Sequence, residues 1–180
     1  DYEKVLALSK KINDLMSRGK QVKVTSREGT DIEFSIDGRT GFLLAGVLDE
    51  NDGKAAFPDG EVAAAPVEGT ANGVIVVDGT VHHLGRLENE MRWVAENGRV
   101  VRIEGKRDAD DLVKFLREHG DGDSYNLAEF AIGTNFGINR FTRIILFDEK
   151  LGGTFHIAMG AVYPETGSLN TSIIHWDMIC

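Results

Sequence analysis

Apolar positions recur at intervals of three and four over the first eighteen residues, at Val5, Leu8, Ile12 and Leu15, while Lys4, Lys10, Lys11 and Arg18 form the wet side. That period predicts an amphipathic helix, with Gly19 placed to close it as a left-handed cap. The pattern then switches to alternation. Residues 21–25 (QVKVT) and the series Ile32, Phe34, Ile36 predict two strands around a turn at Glu28-Gly29-Thr30, closed by Asp37-Gly38. From Phe42 to Arg107 the chain reads as extended, punctuated by turn signals at Asp52-Gly53, Asp59-Gly60, Asn72-Gly73, Asp78-Gly79, Asn97-Gly98 and Gly105. A second helix is expected over 108–118, with Asp108, Asp110 and Asp111 in its first turn, Leu112, Phe115 and Leu116 as its apolar stripe, and Gly120 at its end. A short helical segment is expected around 126–131, and strands return at 142–147, 154–163 and 171–180. Few helices and many successive strands predict an α+β fold: a mostly antiparallel, strand-rich domain with a few flanking helices.

Length and composition narrow the class. A chain of 180 residues fits one domain spanning 1–180. With 42% hydrophobic and 27% charged residues it is globular in composition. Apolar runs such as 73–77 (GVIVV) and 144–147 (IILF) are strand-sized, well short of the ~18 residues of a membrane span. A net charge of −9 argues against a nucleic-acid or anionic-membrane surface. The single cysteine, Cys180, excludes an internal disulfide, so a cytoplasmic setting is expected. The 21 glycines against three prolines predict many tight turns. A start at Asp1 and an end in an apolar stretch at Cys180 suggest a piece of a longer protein.

The strongest chemical signal is Ile174-His175-Trp176-Asp177-Met178. On a strand, His175 and Asp177 share a face about 6.5–7 Å apart and can converge on one cation, while Ile174, Trp176 and Met178 pack on the other. His156 strengthens the signal. Its face carries Thr154, Ala158 and Gly160, all small, whereas Phe155, Ile157 and Met159 fill the opposite face. A core histidine bonded to backbone is the competing reading, although bulkier facing residues would then be expected. Two histidines and a carboxylate are the minimum set for a catalytic transition metal with open positions.

Glu61, beside a Val-Ala-Ala-Ala run, and Glu129, within Leu127–Gly133, sit in apolar surroundings. A buried carboxylate there has to be paired or ligate a metal; a solvated turn or helix face is the alternative. Glu149 is ambiguous in the same way. His82, His83 and His119 read as surface residues. Phosphate-loop, dinucleotide-binding and G-x-S-x-G nucleophile motifs do not occur.

Taken together, FPDGEVAAAPVEGTANGVIVVDG, LAEFAIGTN, ILFDEKLGGTFHIAMGAVYPETG and NTSIIHWDMI resemble the C-terminal, metal-bearing portion of the aminopeptidase T family of metallopeptidases, in the same order over about Val24 to Ile179. The resemblance implies a metallo-aminopeptidase hydrolysing peptide N-termini with two divalent cations, zinc, cobalt or similar. It places the metal ligands on Glu61, Glu129, His156, His175 and Asp177 and an active-site tyrosine on Tyr163. Glu149 is the candidate general base, with Glu129 next, and Tyr163 the candidate donor to an oxyanion. Peptides are the expected substrates and a homo-oligomer the expected assembly, without nucleic acid or membrane. The family's N-terminal α/β portion and final stretch have no counterpart here, and the segment between Tyr163 and His175 is short. A related 2,5-dihydroxypyridine dioxygenase keeps an alternative open, in which one Fe(II) is held by His156, His175 and Asp177. A noncatalytic assembly domain is the third.

Overall fold

The computed structural model describes residues 1–47 and 55–180; the turn expected at Asp52-Gly53 lies outside them. The first helix, α1 (Tyr2–Arg18), is capped by the Asp1 carboxylate and buries Val5, Ser9 and Met16. Leu15, expected on the buried stripe, is 67% exposed, because the buried line runs through Met16. Gly19 is extended and not left-handed; its N–H reaches back to the Leu15 and Met16 carbonyls, which satisfies the helix end without a positive φ.

Two antiparallel sheets follow. One joins β1 (Gln21–Thr25), β2 (Asp31–Ser35), β5 (Asn72–Val77), β8 (Met91–Glu96) and β9 (Arg99–Glu104) in the order β1-β2-β5-β8-β9. The second orders β3 (Phe42–Leu44), β4 (Glu61–Ala64), β10 (Leu127–Gly133), β11 (Phe155–Gly160), β12 (His175–Ile179), β6 (Thr80–Val81) and β7 (Gly85–Arg86) as β3-β4-β10-β11-β12-β6-β7. The β8–β9 hairpin turns on Asn97 and Gly98, both at positive φ (50° and 78°), the geometry an Asn-Gly turn supplies. Asn72-Gly73, expected as a turn, instead opens β5 and pairs with Glu33 and Ile32.

Ile32, Phe34, Ile75, Val77, Met91 and Trp93 of the first sheet meet Val62, Ala64, Phe130, Ile157, Met159, Trp176 and Met178 of the second in one core. Phe34 and Phe130 touch edge to face across it at 5.4 Å. Helix α2 (Arg107–His119) adds Ala109, Leu112 and Leu116 to that core. The mostly antiparallel α+β expectation therefore holds.

Two local expectations fail. The segment expected as a helix around 126–131 is β10, since both neighbours, β4 and β11, supply ladder partners that a short isolated helix lacks. The strand expected over 142–147 is a loop leading into the short helix α3 (Ile145–Asp148). The buried Asp148 carboxylate accepts from the Thr142 and Arg143 N–H groups and from the Thr142 and Thr80 hydroxyls, which folds the segment back on itself.

Candidate metal centre

The face of the second sheet opposite the core carries the candidate residues, and strand register sets their pattern. Ala158 lies opposite both Glu129 and Asp177, so these two acids share one row across β10, β11 and β12. The next row runs Ala63, Ala131, His156 and Ile179; Glu61 pairs with Gly133, and His175 with Gly160. On β4, β10 and β11 the polar side chain of this face is accompanied by alanine or glycine, and the small residues leave space above the sheet. A bulge between Leu127 and Glu129 is needed for this arrangement. It inserts Ala128, so that Leu127 and Phe130 face the core while Glu129 faces the site.

Glu149 and Lys150 arrive from outside the sheet. A Cβ on Gly133 would lie 2.1 Å from the Leu151 carbonyl oxygen and 3.0 Å from that of Glu149, so only glycine lets the 149–151 backbone rest on β10. The Asn135 N–H donates to the Lys150 carbonyl at 3.0 Å and pins it there. Tyr163 comes from the loop between β11 and β12; its ring stacks on Phe42 at 4.8 Å and stands 6.3 Å from that of His175. Glu68 holds this loop by accepting from the Ser168 hydroxyl and the Leu169 N–H, and Asp121 by accepting from the Ser172 hydroxyl and the Ile173 N–H.

All seven candidates, Glu61, Glu129, Glu149, His156, Tyr163, His175 and Asp177, line one cavity of about 330 Å³, together with His82, Ile145 and Leu146. A larger apolar groove of about 660 Å³ between α1, β1 and β11 has no carboxylate or histidine in its lining. Within the cavity, His156 Nε2 lies 3.4 Å from Glu129 Oε1 and 3.6 Å from Glu61 Oε2. His175 Nε2 lies 3.0 Å from Asp177 Oδ1, and its Nδ1 is 2.6 Å from the Ala161 carbonyl. The Nδ1–H therefore donates to that carbonyl, leaving Nε2 to face the carboxylate. Lys150 Nζ bonds Glu61 Oε1 at 2.6 Å and Glu149 Oε1 at 2.7 Å.

Burial of like charges shapes the protonation. Burial raises the Glu61 carboxyl to about 7 against the opposing pull of Lys150 and His156, and raises Glu149 in the same way. Burial disfavours the charged imidazoles, yet the surrounding carboxylates outweigh it, lifting His156 to about 9 and His175 to about 10. For Asp177 burial is outweighed by the imidazoles of His175 and His156, and its carboxyl is held low. Burial raises the Tyr163 phenol, and Glu129 and Glu61 add to the effect.

This donor set fits a divalent cation. Glu61 Oε2, Glu129 Oε2 and His156 Nδ1 are buried without a hydrogen-bond partner, while Asp177 Oδ1 is met by His175 Nε2 at 3.0 Å. Orphaned anionic oxygens are costly unless something positive faces them. Two groups of potential ligand atoms lie within 4.8 Å of one another, Glu61–Glu149–His156 and Glu129–His156–Asp177, sharing one histidine. His175, fixed through its Nδ1, has the second-sphere bond usual for a metal-ligating imidazole.

Two residues of the site escape sequence reasoning, Lys150, which backs Glu61 and Glu149, and His82, which lines the cavity. Lys150 is 2% exposed; its only signal is a cation directly after Asp148 and Glu149 in an otherwise apolar stretch. His82, expected at the surface, is half-buried, its N–H donating to the Asp177 carbonyl at 3.0 Å, whereas His83 and His119 are exposed as expected.

Among proteins of known identity, this chain is similar to aminopeptidase AmpS of Bacillus subtilis (strain 168), 27% identical over 96% of this chain and 46% of that protein. Among solved structures it resembles 2,5-dihydroxypyridine dioxygenase from Pseudomonas putida KT2440, with a TM-score of 0.81 at 19% identity over 99% of this chain and 53% of that one. Wild-type AmpT from Thermus thermophilus gives a TM-score of 0.75 at 20% identity over 98% and 48%. The chain thus spans about half the length of the relatives it matches. At these identities the two structures show a shared fold and do not separate one chemistry from the other. The family described as thermophilic metalloprotease (M29) matches residues 1–180, and the chain belongs to that family.

Proposed function

We propose that the chain is the metal-binding portion of an aminopeptidase, in which Glu61, Glu129, His156, His175 and Asp177 hold two divalent cations, zinc or cobalt. The observation that carries this reading is the convergence of these five residues on one cavity with inward oxygens left unpaired. Divalent cations held there by these residues would supply a water of lowered pKa and a Lewis acid for the scissile carbonyl. The protein's own groups do the rest. Glu149, with Oε1 engaged by Lys150 and a raised carboxyl, is suited to take a proton from water and return it to the leaving amine. Glu129 is the second candidate for that role. Tyr163, an exposed residue in the cavity lining, is the candidate donor to the developing oxyanion. Ile145 and Leu146 supply apolar walls that limit water.

The Fe(II) dioxygenase reading draws on the fold shared with 2,5-dihydroxypyridine dioxygenase. Three glutamates beside the two histidines and Asp177 count against it, because an oxygen-activating iron needs an uncrowded face. The noncatalytic reading would be supported by lost ligands, and all five are present. Peptide substrates, a homo-oligomer and a cytoplasmic setting belong to the same proposal; exposed Leu169 and Ile173 support a surface covered on assembly. Among the described residues no helix is long and apolar enough to cross a membrane. The test is metal analysis of the purified protein, paired with hydrolysis of a leucyl anilide under zinc or cobalt. Ring cleavage of 2,5-dihydroxypyridine under iron, without peptide hydrolysis in the complete protein, would overturn the proposal.

A further inference from the structure

Among the described residues Lys150 is the one lysine buried beside this cavity, and hydrolysis as proposed leaves it without a role. Its Nζ touches Glu61 and Glu149, two members of one ligand group, and neither carboxylate of the other group, Glu129–His156–Asp177. The backbone that carries it is fixed between the Asn135 N–H and the close approach at Gly133, so it cannot leave for solvent as a surface lysine does. Glu61, Glu129, Glu149 and Asp177 bring four negative charges when ionised, which two dications would balance; the ammonium of Lys150 already offsets one of them.

We infer that Lys150 makes the two cation positions unequal: the one at Glu129 and Asp177 fills first, and the one at Glu61, whose carboxylate already carries an ammonium, fills only at higher metal concentration. This rests on the metal-binding reading above and deepens it, by assigning Lys150 as a positioning residue that sets the order of loading. Lysine holds both glutamates in place before metal arrives, at the expense of affinity for the cation that shares Glu61. A unit charge within one ligand's reach of a cation changes its affinity by roughly tenfold or more at the effective dielectric of such sites.

The test is titration of the metal-free protein with cobalt(II), followed by visible absorption, alongside equilibrium dialysis with zinc. The unaltered chain should load in two steps separated by about tenfold or more. In Lys150→Met the second step should tighten by a similar factor while the first stays where it was; Lys150→Arg should keep the gap. If the unaltered chain binds a single cation, Lys150→Met should gain a second. Equal affinities in the unaltered chain overturn the inference without any variant, so a Lys150→Met chain that fails to fold leaves it falsifiable. An unchanged second step, or a single cation in both chains, also overturns it. Binding of no cation at all overturns the metal-binding reading itself, an outcome distinct from two equal sites.

Discussion

Glu129 and Asp177 lie on different strands separated by a third, and both stand opposite Ala158. The Ala158 methyl group lies between them in that row. Enlarging it should fill the space where the two carboxylates converge. Ala158→Leu is therefore expected to lower bound metal sharply while costing the fold only about 1–3 kcal/mol, the usual penalty of overpacking. Metal content and melting temperature measured on one sample separate the two effects; normal metal content in a folded Ala158→Leu chain would contradict the assignment of this row.

How much of this was legible depends on the range of the signal. His156-x-Ala158-x-Gly160 and His175-x-Asp177 show their faces directly, because the period of a strand is local and needs no knowledge of the neighbours. Glu129 was legible as a residue type but not as a geometry. Its segment reads as helical, and the bulge that turns it toward the site is a property of pairing with β11. Lys150 was not legible at all. Asp148-Glu149-Lys150 has the composition of a solvated turn, and it is buried because Gly133, far away in sequence, admits its backbone. The strand expected over 142–147 fails for a similar reason, since Asp148 gathers backbone donors that a strand would have paired elsewhere.

Side chains of the two sheets fill the space between them, so core truncation should be costly. Phe34 is almost fully buried and meets Phe130 across the sheet interface. Phe34→Ala should destabilise by about 3–5 kcal/mol, combining lost burial with a cavity between sheets that cannot collapse freely. Urea unfolding reads this as a lower midpoint with an unchanged slope. A loss well under that range would mean that the interface relaxes around the missing ring.

Stability of the metal-free chain should fall as pH rises. His156 and His175 have pKa values raised from 6.5 to about 9 and about 10, so their contribution is complete below 6.5 and disappears as pH rises through 9 and 10. Glu61, raised from 4.5 to about 7, acts in the same direction, because its neutral form is the one the buried site prefers. Asp177 opposes this only at the acid end, losing its contribution as pH falls below 3.8. Cations compete with these protons, so stabilisation by zinc should grow with pH. At a hundredfold excess over Kd it should reach on the order of 3 kcal/mol. Melting curves with chelator and with zinc across this range check both slopes; a metal-free profile that is flat or rises toward alkaline pH would be inconsistent with the buried imidazole–carboxylate contacts.

Tyr163 allows the catalytic proposal to be separated from metal binding. Its ring packs on Phe42, and its loop is held from two sides by Glu68 and Asp121, none of which depends on the hydroxyl. Tyr163→Phe should therefore keep the stack, the melting temperature and the bound metal. What it removes is a donor aimed at charge that develops only in the transition state. The complete protein carrying this change should lose about 10²–10³ in kcat on a leucyl anilide, with KM nearly constant. A rise in KM at constant kcat would mean that the hydroxyl binds substrate and transition state alike. No change in either would remove Tyr163 from the reaction and leave it as a wall of the cavity.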